Sequence, residues 1–295
     1  MSRPGLDADP LSLGADWFNA LFGEIGIDAE VAGLTAKSIG TGQIGENVRF
    51  VFDYARKGPN APATLVGKFP SDSPESLMTA KLLGHYEREV KFYRTFPKVA
   101  GVITPAAFYT DYDPDTNRFA LIMEDMAPSE QGDQLQGCSV AEAERALSAA
   151  AVLHAAYWND PSLDTHAWLQ GSDLAPPPAL TPEAVSGLWH GFKDRYGERL
   201  EADDILVGDA YAAALPAWSE GYDGPHALTH NDFRLDNMLF GQAGADAGQK
   251  PVFEFDQGRF DPVIAVAGKT PQQPVQHQRL EIGVGGQNIG KSGRQ

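Results

Sequence analysis

The spacing of apolar and polar residues divides the chain into a part that favours strands and a later part that favours helices. Alternating or continuous short apolar runs predict strands at 31–39, 48–52, 64–69, 106–110 and 118–123. Helical spacing is found over 10–25, 76–96, 182–199 and 203–219. The pattern therefore predicts an α+β protein whose sheet comes first and whose helices mostly follow.

A further helix is predicted from a capping signal in the middle of the chain. Ser139 is followed three residues later by Glu142, the capping-box spacing that marks a helix start. The helix is expected to run to about residue 158, and the spacing of its apolar side places four residues on one face: Leu147, Ala151, His154 and Trp158. A histidine on such a face is expected to be a hydrogen-bonded structural residue.

A polar loop between two short apolar runs carries the most specific chemistry of the chain. Its flanks are 227–228 and 238–240, and within it Asp232 precedes Asn237 by five positions. Phosphoryl transfer from a nucleotide uses such a pair, in which a carboxylate accepts the proton of the substrate hydroxyl and an amide oxygen holds a metal ion. Asp232 is therefore the candidate general base, and Asn237 is a candidate metal ligand.

Three glycines with G-x-G-x-x-G spacing, Gly40, Gly42 and Gly45, follow the first predicted strand. In a dinucleotide-binding domain the third glycine would open a helix, but here alternating residues 48–52 predict a strand. A glycine loop between two strands is the arrangement that covers nucleotide phosphates in kinase-like folds. An ordinary glycine-rich hairpin turn is the alternative.

Lys68 lies inside an apolar predicted strand, where a lysine is either a surface residue or a functional one. In kinases the strand lysine binds the nucleotide α- and β-phosphates and is held by a helix glutamate. Glu89 falls on the apolar face of the helix predicted over 76–96, together with Leu82, Tyr86 and Tyr93. An acidic group there needs a partner, so Glu89 is the expected partner of Lys68 and Glu87 is the alternative.

The amino-acid composition of the chain restricts the kinds of partner that it can bind. The chain has 295 residues, 40 acidic and 23 basic, and a net charge of −17. This balance argues against nucleic acid or an anionic membrane surface as a main partner. A single cysteine, Cys138, allows no intrachain disulfide, and no signal-peptide pattern or long apolar run is present. We therefore expect a cytoplasmic protein.

The loop His230-x-Asp232 followed by four residues and Asn237 resembles the catalytic loop of the aminoglycoside-phosphotransferase/choline-kinase-like family. The similarity is greatest to its ecdysteroid-kinase-like branch, and it spans about residues 35–258. Outside the loop it rests on three further segments of the sequence, at 124–128, 131–134 and 153–158.

The resemblance implies a two-lobed, protein-kinase-like α+β fold, with an N-lobe over 1–125 and a mainly helical C-lobe over 126–262. It implies transfer of the γ-phosphoryl group of ATP, with Mg²⁺, to a hydroxyl of a small molecule. Glu124 and Met126 would lie at the inter-lobe hinge and contact the nucleotide. Asp256 would be the second metal ligand, and Asp261 is the fallback for that role.

Three features depart from the family pattern. Asn231 replaces the usual glycine of the loop, and Glu254 interrupts the apolar run that normally precedes Asp256. Residues 263–295 form an atypical tail without Phe, Tyr or Trp, which we expect to be disordered. These departures support an alternative function, a catalytically impaired nucleotide-binding pseudokinase or a truncated product.

Overall fold

The structure is a computed structural model. It describes residue 6 and residues 9–39, 45–96, 102, 104–169, 181–221, 225–230 and 232–241, together with the backbone at 252–253 and 264–265. For residues 218–221 it likewise describes only the backbone.

The first half of the chain forms a five-stranded antiparallel sheet with the order β1-β2-β3-β5-β4. Its strands are β1 (Ala29–Ile39), β2 (Gly45–Lys57), β3 (Thr64–Pro70), β4 (Ala107–Asp113) and β5 (Arg118–Glu124). All five predicted strands are therefore confirmed. The register places Asn47 of β2 opposite Lys68 of β3, and Lys68 opposite Leu121 of β5.

Strand periodicity gives this sheet two apolar faces. Phe50 and Leu65 lie on the face that packs against helix α1 (Ala15–Glu24), whose buried side consists of Trp17, Phe18, Leu21 and Phe22. Val66 and Leu121 lie on the opposite face and belong to a larger core with the next helices. Because side chains alternate across a strand, Asn47 and Lys68 are also directed to this second face.

The prediction of one continuous helix over 76–96 is wrong. The structure has two helices, α2 (Pro74–Leu83) and α3 (His85–Thr95), and Gly84 between them has a φ of 70°. This left-handed conformation is available to glycine and ends α2, since the Gly84 amide donates back to carbonyls of that helix. Because of this break, Leu82 and Glu89 do not share one buried face as predicted. Leu82 is half exposed, whereas Glu89 is buried.

The second half of the described chain is mainly helical. Helix α4 (Val140–Ala156) has the predicted capping box, in which the Glu142 amide donates to Ser139 Oγ and the Glu142 carboxylate accepts from the Ser139 amide. Helices α5 (Pro182–Tyr196) and α6 (Ala202–Gly221) pack against each other. Within the described ranges no helix is both long and apolar enough to cross a membrane.

The prediction of which side of α4 is buried is wrong. Leu147 is 62% exposed and Trp158 is 56% exposed, whereas Ala146 and Ala149 are buried against Met238. The large residue of α4 that is buried is Leu153, which lies in the main core with Leu228. His154 is half-buried beside that face.

Two small sheets in the C-terminal part hold the polar loop. One pairs β6 (Glu130–Gln131), β8 (Met238–Phe240) and β9 (Val252–Phe253), and the other pairs β7 (Leu228–Thr229) with β10 (Ile264–Ala265). The α+β class expected from the sequence is thus confirmed, with the sheet in the first half of the chain and the longest helices after it. The boundary at 125/126 and the assignment of 263–295 stay predictions.

Candidate active site

The polar loop lies between β7 and β8 and is held by its own backbone. The Asp232 amide donates to the His230 carbonyl at 3.0 Å, and the Arg234 amide donates to the Asp232 carbonyl at 3.0 Å. A short 3₁₀ turn, Leu235–Asn237, completes the loop, with the Asn237 amide bonded to the Arg234 carbonyl at 2.9 Å. These bonds leave little freedom to the side chains that the loop presents.

The two carboxylate oxygens of Asp232 have different surroundings. Oδ2 accepts from Asn237 Nδ2 at 2.8 Å and from Arg234 Nε at 3.2 Å. Within the described residues Oδ1 accepts no hydrogen bond, and the side chain is 14% exposed. Burial raises the pKa of Asp232, while its bonds to Asn237 and Arg234 oppose the increase. One oxygen is thus fixed by two hydrogen bonds, and within the described residues the other is not.

Asn237 is 1% exposed, and its amide orientation is set by its neighbour. Nδ2 donates both to the Asp232 carbonyl at 2.9 Å and to the Asp232 carboxylate. The opposite atom, Oδ1, is buried without a hydrogen-bond partner among the described residues. A neutral amide oxygen of this kind is a suitable ligand for a hard cation such as Mg²⁺.

Asn237 is the one proposed metal ligand that lies within the described part of the chain. That part contains no group of three or more His, Cys, Asp or Glu residues able to hold an ion. The proposed second ligand, Asp256, and its fallback, Asp261, lie outside the described residues, as does Asn231.

Arg234 pairs with two carboxylates of the loop. Besides Asp232, its guanidinium reaches Asp236 Oδ2 at 3.1 Å. Arg234 therefore links two carboxylates of the loop. His230 is buried, and its ring lies edge-on to Phe233 at 6.0 Å between centroids.

A segment near β6 supports the loop from the other side. The Leu235 amide donates to Gln134 Oε1 at 3.0 Å, and Gln131 Nε2 donates to the Asp236 carbonyl. The Gly132 amide bonds the Met238 carbonyl at 3.0 Å, and a side chain at Gly132 would lie 2.6 Å from the Leu235 carbonyl oxygen. Sequence reasoning noted this segment only as a resemblance and missed its contacts.

Lys68 and Glu89 form a buried ion pair, as expected. Lys68 Nζ lies 2.5 Å from Glu89 Oε1, and the two side chains are 4% and 10% exposed. The alternative partner, Glu87, instead pairs with Lys91 one helical turn away at 2.6 Å. The contact is present in the structure, while the role of the pair in binding phosphates stays a prediction.

The predicted hinge carries an ion pair that the sequence analysis did not identify. Arg49 of β2 binds Asp125 in a two-point contact, with Nε–Oδ2 at 2.8 Å and a guanidinium nitrogen 3.1 Å from Oδ1. The Asp125 side chain is only 3% exposed and also accepts from the Ala127 amide. Glu124 is exposed and accepts from the Ala106 amide at 3.2 Å, and Met126 is half-buried.

Of the three motif glycines the structure describes one. Gly45 opens β2, and a Cβ there would lie 2.9 Å from the Phe69 carbonyl oxygen. Gly40 and Gly42 lie outside the described residues. Gly45 is the first residue of β2, which pairs antiparallel with β1. A dinucleotide-binding fingerprint requires a helix after its third glycine, so the structure disagrees with that fingerprint.

No protein-family model matches the chain, and no curated protein matches its sequence. Similar solved structures include a GDP complex of an aminoglycoside 2'-phosphotransferase-IIIa variant, with a TM-score of 0.47, 16% identity, and coverage of 86% of this chain and 74% of that one. Spectinomycin phosphotransferase APH(9)-Ia with ADP and spectinomycin gives 0.45 and 11%, covering 88% and 71%. A macrolide 2'-phosphotransferase from Brachybacterium faecium gives 0.36 and 17%, covering 77% and 68%.

Proposed function

We propose that this protein is an ATP-dependent small-molecule kinase that transfers the γ-phosphoryl group to a hydroxyl of its acceptor. The observation that carries the proposal is the pairing of Asp232 with Asn237. One amide fixes one carboxylate oxygen of Asp232 and leaves its own oxygen unsatisfied. A general base and a cation ligand are thereby oriented by the same contact, as phosphoryl transfer requires.

Asp232 acts in this proposal as the base that orients and deprotonates the acceptor hydroxyl. Its Oδ1 receives the proton, because Oδ2 is already engaged by Asn237 and Arg234. Burial raises the pKa of the carboxyl, which makes the carboxylate a stronger proton acceptor than an exposed aspartate. Arg234 keeps the carboxylate in place and limits the increase in its pKa.

Lys68, fixed by Glu89, is proposed to bind the phosphates of the nucleotide, with the glycines Gly40, Gly42 and Gly45 covering them. Glu124 and Met126 are proposed to bind the base through the hinge backbone. The burial and short contact of the Lys68–Glu89 pair support this, since a lysine held in one orientation loses little freedom on binding a phosphate.

Asn237 Oδ1 fits the proposed use of Mg²⁺, because a buried oxygen without a partner gains a favourable contact from a cation. Asp256 is proposed as the accompanying ligand. A bound Mg²⁺ would neutralise charge that develops on the transferred phosphoryl group.

The test is a transfer screen with γ-labelled ATP over aminoglycosides, steroids, choline-like alcohols and sugars. Label appearing in an acceptor supports the proposal. ATP binding without transfer to any acceptor, or to water, would instead favour the pseudokinase alternative suggested by the sequence around Asp256. Binding of NADH in preference to ATP would contradict both.

A further inference from the structure

Asn47 has a buried carboxamide that the fold does not use. The residue is 4% exposed, and neither Nδ2 nor Oδ1 has a hydrogen-bond partner in the part of the chain that the structure describes. Asn117 is buried to the same degree, but it accepts from the Tyr112 hydroxyl at 3.2 Å and donates to the Leu77 carbonyl at 3.3 Å. Leaving an amide unpaired costs stability, so a buried amide of this kind is a candidate ligand-binding group.

The sheet register shows where this amide lies. Asn47 is directly opposite Lys68 in the β2–β3 ladder, so both side chains project from the same face toward α3. Directly opposed residues have Cβ atoms about 5 Å apart. Two positions along β2 on the same face, Arg49 is engaged by Asp125. Asn47 is therefore the cross-strand neighbour of Lys68 and does not take part in the hinge ion pair.

The hydrogen-bonding chemistry of this neighbour favours one kind of ligand. Lys68 is paired with Glu89, so the two side chains together carry no net charge, but the ammonium group can only donate hydrogen bonds. An anion, which only accepts them, could share the ammonium group with Glu89 and also accept from the two N–H donors of the amide. Hydrogen bonds to anions are also stronger than neutral ones, above all where water is excluded. The surroundings of Asn47 thus favour an anion.

We propose that Asn47 is a further nucleotide-binding residue, whose Nδ2 donates to an oxygen of the phosphate group that Lys68 binds. The proposal rests on the proposed kinase function and names a residue of its phosphate subsite. It predicts that Asn47 discriminates nucleotides with phosphates from the bare nucleoside.

The test is calorimetric titration of the full chain with ADP and with adenosine. We expect Asn47→Leu to raise the Kd for ADP by about 10- to 100-fold, the size expected for losing a hydrogen bond to a charged group. Asn47→Asp, which keeps the shape but adds a negative charge beside the phosphate, should raise it further. The affinity for adenosine should stay unchanged in both variants.

Asn19→Leu is the matched control. Asn19 of α1 donates to the Val31 carbonyl at 3.0 Å and accepts from the Val31 amide at 2.7 Å, so its role is structural. This variant should lower the melting temperature and keep the affinity for ADP. Asn47→Leu should not lower the melting temperature of the unliganded protein, because it removes an unpaired amide.

The outcomes separate this inference from the proposed function. Wild-type affinity for ADP in both Asn47 variants would overturn the role of Asn47 while leaving the kinase proposal in place. Equal losses for ADP and adenosine, or a drop in melting temperature like that of Asn19→Leu, would also overturn it. Failure of the wild-type protein to bind ADP would contradict the proposed function itself.

Discussion

The buried ion pair of Lys68 and Glu89 gives a prediction that separates function from stability. Its side chains are 4% and 10% exposed, so removing one partner leaves a charge without compensation in an apolar environment. We expect Lys68→Met and Glu89→Leu each to lower the free energy of unfolding by about 3–5 kcal/mol. The double variant should recover most of this loss, because apolar residues of similar volume often replace a buried pair at no cost.

The neighbouring pair on the same helix is the control for this prediction. Lys91 and Glu87 are 29% and 18% exposed and lie one turn apart on α3. Since pairs that solvent reaches contribute little, Lys91→Met should cost less than about 1 kcal/mol. A similar loss at Lys68 and Lys91 would mean that burial does not set the energy of the pair at Lys68.

Urea denaturation of the wild-type protein, the two single variants and the double variant measures these energies, and ADP titration of each folded variant measures the function. The account predicts a double variant that is near wild type in stability and has lost its affinity for ADP. A double variant that is as unstable as the singles would refute the reasoning. So would one that binds ADP like the wild type.

Three further predictions concern the catalytic loop. Arg234→Gln removes the cation beside Asp232, so the acid limb of a kcat/KM–pH profile should move to higher pH. Because burial raises the pKa of Asp232 above the usual 3.8, the folded state binds its proton more tightly than the unfolded state does. The free energy of unfolding relative to Asp232→Asn should therefore fall as the pH rises above 3.8 in urea titrations. Gly132→Ala should lower the unfolding free energy by about 1–3 kcal/mol, since its Cβ meets the Leu235 carbonyl.

Local sequence patterns were sufficient for the strands and for the buried pair. Alternation along β2 and the apolar run of β3 define strands without knowledge of distant residues, and a charged residue on each apolar surface indicated that Lys68 and Glu89 are partners. The spacing of Asp232 and Asn237 likewise indicated one loop, because the five-residue separation lets a single turn bring them into contact.

Contacts between distant segments could not be predicted in the same way. Arg49 and Asp125 are 76 residues apart, and either could face solvent until the sheet places them together. The buried face of α4 consists of Ala146, Ala149 and Leu153, and small alanine side chains give a weak signal in a hydrophobicity pattern. The break at Gly84 depends on a single backbone conformation.

The most direct test of the account is the rate of phosphoryl transfer from γ-labelled ATP in the wild-type protein and in Asp232→Asn, measured with the first acceptor that the screen identifies. ATP affinity of the variant, measured by titration, serves as the control for folding. The account predicts that kcat falls by about 10²- to 10⁴-fold, the contribution of a positioned general base, while ATP affinity is retained. An unchanged kcat in Asp232→Asn would contradict it.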